Sequence, residues 1–466
     1  MAQLILWNCL NVDHAPIRPA GPHQLSHWLK CHGYTVKVID FCNLLSTRDL
    51  VDITLKNIDS DTIAIGVSST FWSAHSNLAS LKPGTFLEPD WVNDARIELQ
   101  EKIKSNIDWI LGGGGSIEKN FKFDWKFFHG HAEDSLLKYM DESTVRVSNR
   151  KPFDIANLEN CFYDDLYLHS DEVLPIELGR GCQFKCTFCR YPLLGKKKNT
   201  YIRSYDLVEK EFIENYEKYG TTKYFFLDDT VNESTEKVEA LANIAQRLPF
   251  KLQWFGYNRL DLMGVQRHTI ELLEASGLKS SFFGIESFHK KASKLVGKGW
   301  NGAHAKDFLL ELQERWNNKM NFHLGFIVGL TGENNQDIDD TQKWCIDNNM
   351  PSWKFLGLHI NKNNDQVYKS EFDLNHEMYG YKFLSDSDLY WTNKDWDAKT
   401  ARIKAVELNN ENQPYIKPAV WLLGEISTLG YDTTTLMNTY KNNLDWEELK
   451  YKTKEFVLNY VTQQLK

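Results

Sequence analysis

Cysteine is scarce in this chain: its 466 residues hold 8 Cys. That is far too few for a scaffold held together by disulfides. Long apolar runs are missing too, and none approaches the ~18–20 uninterrupted residues of a transmembrane helix. The opening MAQLILWNCL carries no positive segment, and its apolar run is too short for a secretory signal. Positive charge is not in excess either, because Lys+Arg 54 against Asp+Glu 63 leave a net charge of −9. Nucleic-acid binding through bulk charge is therefore not expected, although a local basic groove stays open. There is no internal repeat and no low-complexity tract. A composition of 42% hydrophobic and 25% charged residues excludes wholesale disorder. What remains is a soluble, cytoplasmic, globular protein with reduced thiols. At roughly 100–200 residues per domain, two to three domains are expected.

Residues 1–142 alternate short apolar runs with amphipathic stretches. Strands are predicted at Leu4–Trp7, Thr35–Ile39, Thr62–Val67, Asp108–Leu111 and Trp125–Phe128. Between them, Pro22–His32 reads as a helix that Gly33 ends, and Leu50–Ile58 reads as another. Ser73–Asp90 fits no element and is expected to be a loop or insertion. Strands alternating with helices imply a parallel sheet covered on both faces. Gly112–Gly115 and Gly130 stand at strand ends, where backbone approaches a ligand.

Residues 143–173 read as a linker. A second series spans 174–360, with strands at Leu174–Leu178, Tyr224–Leu227, Leu252–Phe255, Ser281–Ile285, Phe322–Val328 and Phe355–Ile360. Ser204 and Ser234 are helix-cap candidates, and Gly220 is a helix stop. Six β/α repeats suggest a partial TIM-type barrel with function at the C-terminal strand ends. Residues 361–466 are expected to form a mostly helical cap, with helices at Asp397–Leu408, Lys417–Leu429 and Trp446–Leu465.

The few cysteines are not evenly spread. Cys182, Cys186 and Cys189 follow the first strand of the second series as C-x3-C-x2-C. Three thiolates this close can hold three irons of a cubane cluster and leave the fourth open to an external ligand. The alternative is a zinc knot, which wants four N/S ligands. His169 and His268, the nearest histidines, lie outside the loop.

With Phe188 before the last Cys, this loop resembles that of the radical S-adenosylmethionine (SAM) superfamily. The resemblance covers roughly Leu174 to Ile360. It implies a [4Fe-4S] cluster whose open iron binds the amino and carboxylate groups of SAM. Reductive cleavage then yields a 5′-deoxyadenosyl radical, with the electron from an external donor such as flavodoxin or ferredoxin. Carried over, Asp228 and Asp229 stand where the family meets the SAM amino group, and only one of two adjacent carboxylates is expected to face it. Their other reading is a contact to the helix near Ser234. Arg259 stands where a SAM carboxylate would be met, its other reading being a salt bridge to Asp261. Gly284-Ile285-Glu286-Ser287 is similar to the family's GIES, whose polar residues reach SAM. Gly325, Ile327 and Gly329, with Glu333, are similar to its adenine-side G-x-I-x-G segment. Lys196–Lys198 read as a solvated loop or a phosphate contact.

The first domain is similar to the Rossmann-like, flavodoxin-type module of the cobalamin-binding subgroup. Arg18-Pro19-Ala20-Gly21-Pro22, Gly33 to Val36 with Asp40, the Gly112–Gly113 strand end and Gly130-His131-Ala132-Glu133 carry that likeness. In the subgroup, cobalamin lies between this domain and the barrel and delivers a methyl group to a substrate radical. The subgroup's Asp-x-His-x-x-Gly is absent, because Asp13 and His14 are adjacent. His14, His129 and His131 are candidate contacts. Cys9, Cys31 and Cys42 invite comparison with an auxiliary-cluster subgroup but read as core thiols, as do Cys161 and Cys345. Tyr390, Trp391, Trp396, Trp421 and Trp446 either line a substrate cavity or fill the core. The leading expectation is cobalamin-dependent methylation of an unactivated carbon. The alternatives are a cobalamin-free radical SAM enzyme with a vestigial first domain, and a non-catalytic iron–sulfur protein. Nothing in the sequence names the substrate or the oligomeric state.

Overall fold

The structure is a computed structural model. It describes residues 1–10, 17–69, 89–103, 106–113, 123–145, 151–162, 168, 172–190, 195–317, 319–362, 369–384, 390–412, 415 and 446–466. The expected loop at Ser73–Asp90 falls almost wholly outside them, as do Asp13, His14, Gly114, Gly115, His169, Trp421, the Lys417–Leu429 helix and the Trp446 side chain.

The first unit is a five-stranded parallel sheet in the order β2-β1-β3-β4-β5. Its strands are β1 Leu4–Trp7, β2 Val36–Ile39, β3 Ala64–Ser68, β4 Asp108–Gly113 and β5 Lys126–His129. Helices α1 (Ala20–Cys31), α2 (Thr47–Asn57), α3 (Asp90–Lys102) and α4 (Glu133–Thr144) connect them. The flavodoxin-type order follows, with a reversal of strand order that opens a crevice at the C-terminal ends of β1 and β3. The central strands are apolar on both faces, and Leu4, Ile5, Ala64 and Ile65 have no exposed surface.

The second unit is a six-stranded parallel sheet in unbroken sequence order, β6 to β11. Its strands are β6 Leu174–Ile176, β7 Lys223–Phe226, β8 Gln253–Asn258, β9 Leu278–Glu286, β10 Asn321–Val328 and β11 Trp353–Gly357. Consecutive order without closure is the partial barrel expected from the sequence. Outward residues Tyr224, Phe226, Trp254, Phe283, Phe322 and Trp353 pack under the helices and are at most 1% exposed. Ser234 caps the helix Thr235–Arg247 through the Lys237 N–H. Gly220 ends Tyr205–Tyr219 with φ 71°. Ser204 sits at that helix's start, but its side chain makes no capping bond.

The C-terminal region is helical, as expected, and its two long described helices lie on different sheets. Ala398–Asn412 lies along β11 and β10 as the barrel's last covering helix. The C-terminal helix Trp446–Leu465 returns to the first domain and packs on α2. Phe456, Tyr460 and Val461 join that domain's core, and the Tyr460 hydroxyl accepts the Asp40 N–H at 2.7 Å. Its apolar stripe was legible as helical, but the sequence did not say which core it completes. Trp391 and Trp396 are buried members of the barrel core.

Candidate active site

Strand β6 ends at Ile176, and the chain turns through Gly179 and Gly181 into the cysteine loop. Glycine fits closely at Gly179, where a Cβ would stand 3.0 Å from the Tyr201 carbonyl and 3.2 Å from Lys196 Nζ. Cys182, Cys186 and Cys189 are all reduced and partly exposed. The loop is pinned on three sides. Thr187 Oγ1 donates to the Leu295 carbonyl at 3.0 Å, the Phe372 N–H donates to the Thr187 carbonyl at 2.9 Å, and Gln183 Nε2 donates to the Glu233 carbonyl at 2.7 Å. Arg190, just beyond, forks onto Asp373 at 2.7 and 2.8 Å. Phe188 packs against the barrel core. Among the described residues no group of three or more His, Cys, Asp or Glu closes around a single metal ion. The described residues thus offer no zinc knot. Three partly exposed thiols on one loop instead suit a cluster in which each thiolate takes a different iron.

The two carboxylates that end β7 separate. Asp228 turns inward, where its Oδ2 accepts the Leu178 N–H at 2.8 Å and its Oδ1 pairs with Lys237 Nζ at 2.5 Å. Lys237 also meets Glu233 at 3.0 Å, and Lys196 meets Glu233 at 2.8 Å. Burial alone would lower the Lys237 pKa, but Asp228 and Glu233 more than reverse this. Asp228 is thus engaged by Lys237, on the helix that Ser234 caps, and by the Leu178 N–H. Lys196 is likewise a buried ion-pair member, against the solvated-loop expectation, while Lys198 stays exposed beside Glu236. Asp229 is the carboxylate that lines a cavity. Burial, then the neighbouring Asp228, push its pKa up to about 7.

Arg259 ends β8, and its fork is already taken. Nε and Nη2 meet Asp261 at 2.9 and 2.6 Å, and Nη1 points at Cys186 Sγ, 3.5 Å away. The structure thus shows the Asp261 salt bridge, the second of the two readings that the sequence offers for Arg259. Glu286 holds φ 66°, a strained region for a non-glycine residue. The β9/β10 register shifts beside it. It pairs with Lys298 at 3.1 Å, a residue the sequence reading did not single out. Gly284 makes room, since a Cβ there would lie 2.3 Å from Glu286 Oε1. Ser287 Oγ donates to Glu333 Oε1 at 2.6 Å. Burial lifts the Glu333 carboxyl to about 8, against the Ser287 bond, and Glu333 Oε2 has no partner among the described residues. Gly325 lies under the Phe282 ring and Gly329 under Trp391, while Ile327 is buried between them at 7%. The segment is built for close packing, with its glycines against aromatic rings.

Between the two units lies a cavity of about 360 Å³. On one side it is walled by Gly66, Val67, Ser68, Ile110, Gly112, Gly113, Gly130, His131 and Glu133 from the first unit. Glu177, Gly179, Arg180, Gly181, Arg190, Leu227 and Asp229 from the barrel form the other. A salt-bridge network spans it: Arg180 meets Glu133 at 2.6 Å and Glu177 at 2.7 Å, and Gln24 donates to Glu177 at 3.0 Å. Beneath, buried Arg18 joins Asp40 at 2.5 Å and Glu172 at 2.9 Å, fastening linker to first domain. His131 lines the cavity, whereas His129 is exposed and stacks on Phe127. Cys9 and Cys42 are buried while Cys31 is exposed at the end of α1, so the three do not form one site. Glu177 and Arg180 sit immediately before Cys182, and that adjacency was the one signal that could have drawn attention to them.

Residues 176–345 match the family model of the Radical SAM superfamily. No curated protein matches the chain. Among solved structures, the radical SAM methyltransferase TsrM from Kitasatospora setae, with cobalamin and [4Fe-4S] cluster bound, is similar at 12% identity and TM-score 0.62, over 99% of both chains. The same enzyme with tryptophan substrate and a SAM analogue aligns at 13% identity and TM-score 0.59, over 92% of this chain and 88% of that one. The cobalamin-dependent SAM radical enzyme OxsB with aqua-cobalamin aligns at 11% identity and TM-score 0.57, over 100% of this chain and 79% of that one. At these identities the likeness is one of fold, and it extends over both domains.

Proposed function

We propose, from the premise that the chain carries a radical SAM domain over residues 176–345, that it is a cobalamin-dependent methyltransferase acting on an unactivated carbon. The observation that carries this reading is the cavity between the domains. It brings the glycine strand ends of the first sheet against the Gly179–Gly181 turn that leads into Cys182. The lining suits a corrin: Gly66, Gly112, Gly113 and Gly130 offer bare backbone, and Leu6, Val67, Ile110, Leu136 and Leu227 offer apolar surface.

When bound, the cluster supplies the electron that cleaves SAM, and cobalamin carries the methyl group. Cys182, Cys186 and Cys189 would hold the cluster, with the loop fixed in place by Thr187, Gln183 and the Arg190–Asp373 fork. Asp229 would present its carboxyl to the ligand space, while Asp228 holds the strand end through the Leu178 N–H. Arg180, bridging Glu133 and Glu177, keeps the two walls of the cavity together. Electrons would come from a flavodoxin- or ferredoxin-like donor.

The test is anaerobic expression with cobalamin, reduction, and analysis of SAM products. 5′-Deoxyadenosine together with S-adenosylhomocysteine supports methyl transfer. 5′-Deoxyadenosine alone, with no corrinoid in the visible spectrum, would support the cobalamin-free reading. Absence of both products, with a spectrum unchanged in Cys186→Ala, would refute the radical SAM chemistry.

A further inference from the structure

We infer that Arg259 acts on the cluster side of this site: it is a donor to the Cys186 sulfur that raises the cluster's reduction potential, and it does not bind the SAM carboxylate. The assignment rests on the reading that Cys182, Cys186 and Cys189 hold a [4Fe-4S] cluster.

The geometry leaves the guanidinium little freedom. Asp261 takes Nε and Nη2 as a two-bond fork, the arrangement in which an arginine is most firmly oriented. Asp261 is itself fixed by the N–H groups of Leu262 at 3.1 Å and Gly299 at 3.2 Å. At Gly299 a Cβ would stand 2.8 Å from Asp261 Oδ2 and would push the carboxylate aside. The Phe184 ring covers one guanidinium face with its centroid 4.2 Å away. The Arg259 backbone is locked as well, exchanging hydrogen bonds of 2.8 and 3.0 Å with the Asn232 side chain. What this clamp aims outward is Nη1, at Cys186 Sγ.

The Arg259–Asp261 pair is electrically neutral as a unit, so its distant field on the cluster is small. A directed N–H···S contact remains. Hydrogen bonds to cluster sulfurs stabilise the more negative, reduced cluster and so raise its potential.

The experiment uses anaerobically reconstituted full-length chain without SAM. It measures the cluster's midpoint potential by a dithionite titration read by electron paramagnetic resonance, and separately the dissociation constant for SAM. Arg259→Gln is expected to move the midpoint to more negative values and to weaken SAM binding by less than about threefold. The double variant Arg259→Gln/Asp261→Asn, which keeps the pair neutral and so removes only the directed contact, is expected to move the midpoint the same way. An unchanged midpoint with SAM binding weakened about tenfold or more, the loss of a bidentate charged contact, would overturn the assignment. Should Arg259→Gln fail to hold iron, an unchanged midpoint in the charge-neutral double variant overturns it alone. A wild-type chain that binds no iron removes the cluster reading as well, and the iron count tells that failure from the other.

Discussion

Replacing Lys237 by Met tests how the cysteine loop is supported. Two ammoniums, Lys196 and Lys237, face two carboxylates, Asp228 and Glu233, and 2 − 2 = 0 leaves the cluster neutral. All four side chains are at most 2% exposed. Lys237→Met leaves 1 − 2 = −1, a buried carboxylate with no counter-charge. Removing one partner of such a pair costs about 3–5 kcal/mol, a large part of the roughly 5–15 kcal/mol that holds a domain folded. Adding Asp228→Asn restores 1 − 1 = 0, keeps the Lys196–Glu233 pair, and leaves an oxygen to accept the Leu178 N–H. The double variant is therefore expected to recover about 1–2 kcal/mol or more relative to additivity. Urea unfolding of the single and double variants measures this. Because Asp228 and Glu233 also hold Leu178 and Gln183 at either side of Cys182, iron incorporation into Lys237→Met should fall in parallel. Simple additivity, with the double variant no more stable than Lys237→Met, would refute the reasoning.

Three further outcomes follow from the same geometry. Burial raises Glu333 from its ordinary 4.5 to about 8, so the folded chain prefers the neutral acid. Its stabilising share is complete below about pH 4.5 and is lost as pH rises to 8. Urea midpoints of the wild type, but not of Glu333→Gln, should decline across that window in excess of the background. Asp229, raised to about 7 by burial and by Asp228, gives the same sign. Asp229→Asn should therefore raise the thermal midpoint at pH 8 and leave it nearly unchanged below pH 4. Gly112→Leu adds a side chain to the cavity wall, where its Cβ would meet nothing nearer than the Phe128 carbonyl at 3.7 Å. The fold should survive while corrinoid retained through gel filtration drops, as absorbance would record.

The strands of both sheets were legible because parallel strands buried on two faces read as apolar runs ended by glycine. Val36–Ile39, Ala64–Ser68 and Asn321–Val328 fall within one or two residues of their expected places. The cysteine loop was legible because metal-binding spacing is local. The fate of polar strand ends was not legible. Asp228 and Asp229 are neighbours in sequence, yet one is locked to Lys237 and the other faces the cavity. Only the helix Thr235–Arg247, folding back beside β7, decides between them. The Arg259–Asp261 pair was readable as one of two choices, but the Gly299 N–H that holds Asp261 from 38 residues away was not.

By itself the sequence determined the chemistry on offer: three thiols on one loop after a strand, glycines at strand ends, and two parallel sheets in series. Those follow from short-range spacing and from the periodicity of burial. The tertiary structure alone decided which charges meet. It joined Arg180 to Glu133 across the domains, sent the last helix back to the first core, and turned Arg259 toward Cys186. A buried charge takes whatever partner the fold brings within reach, because leaving it unpaired is costly. That partner is a property of three-dimensional proximity, which neighbouring residues in the chain do not encode.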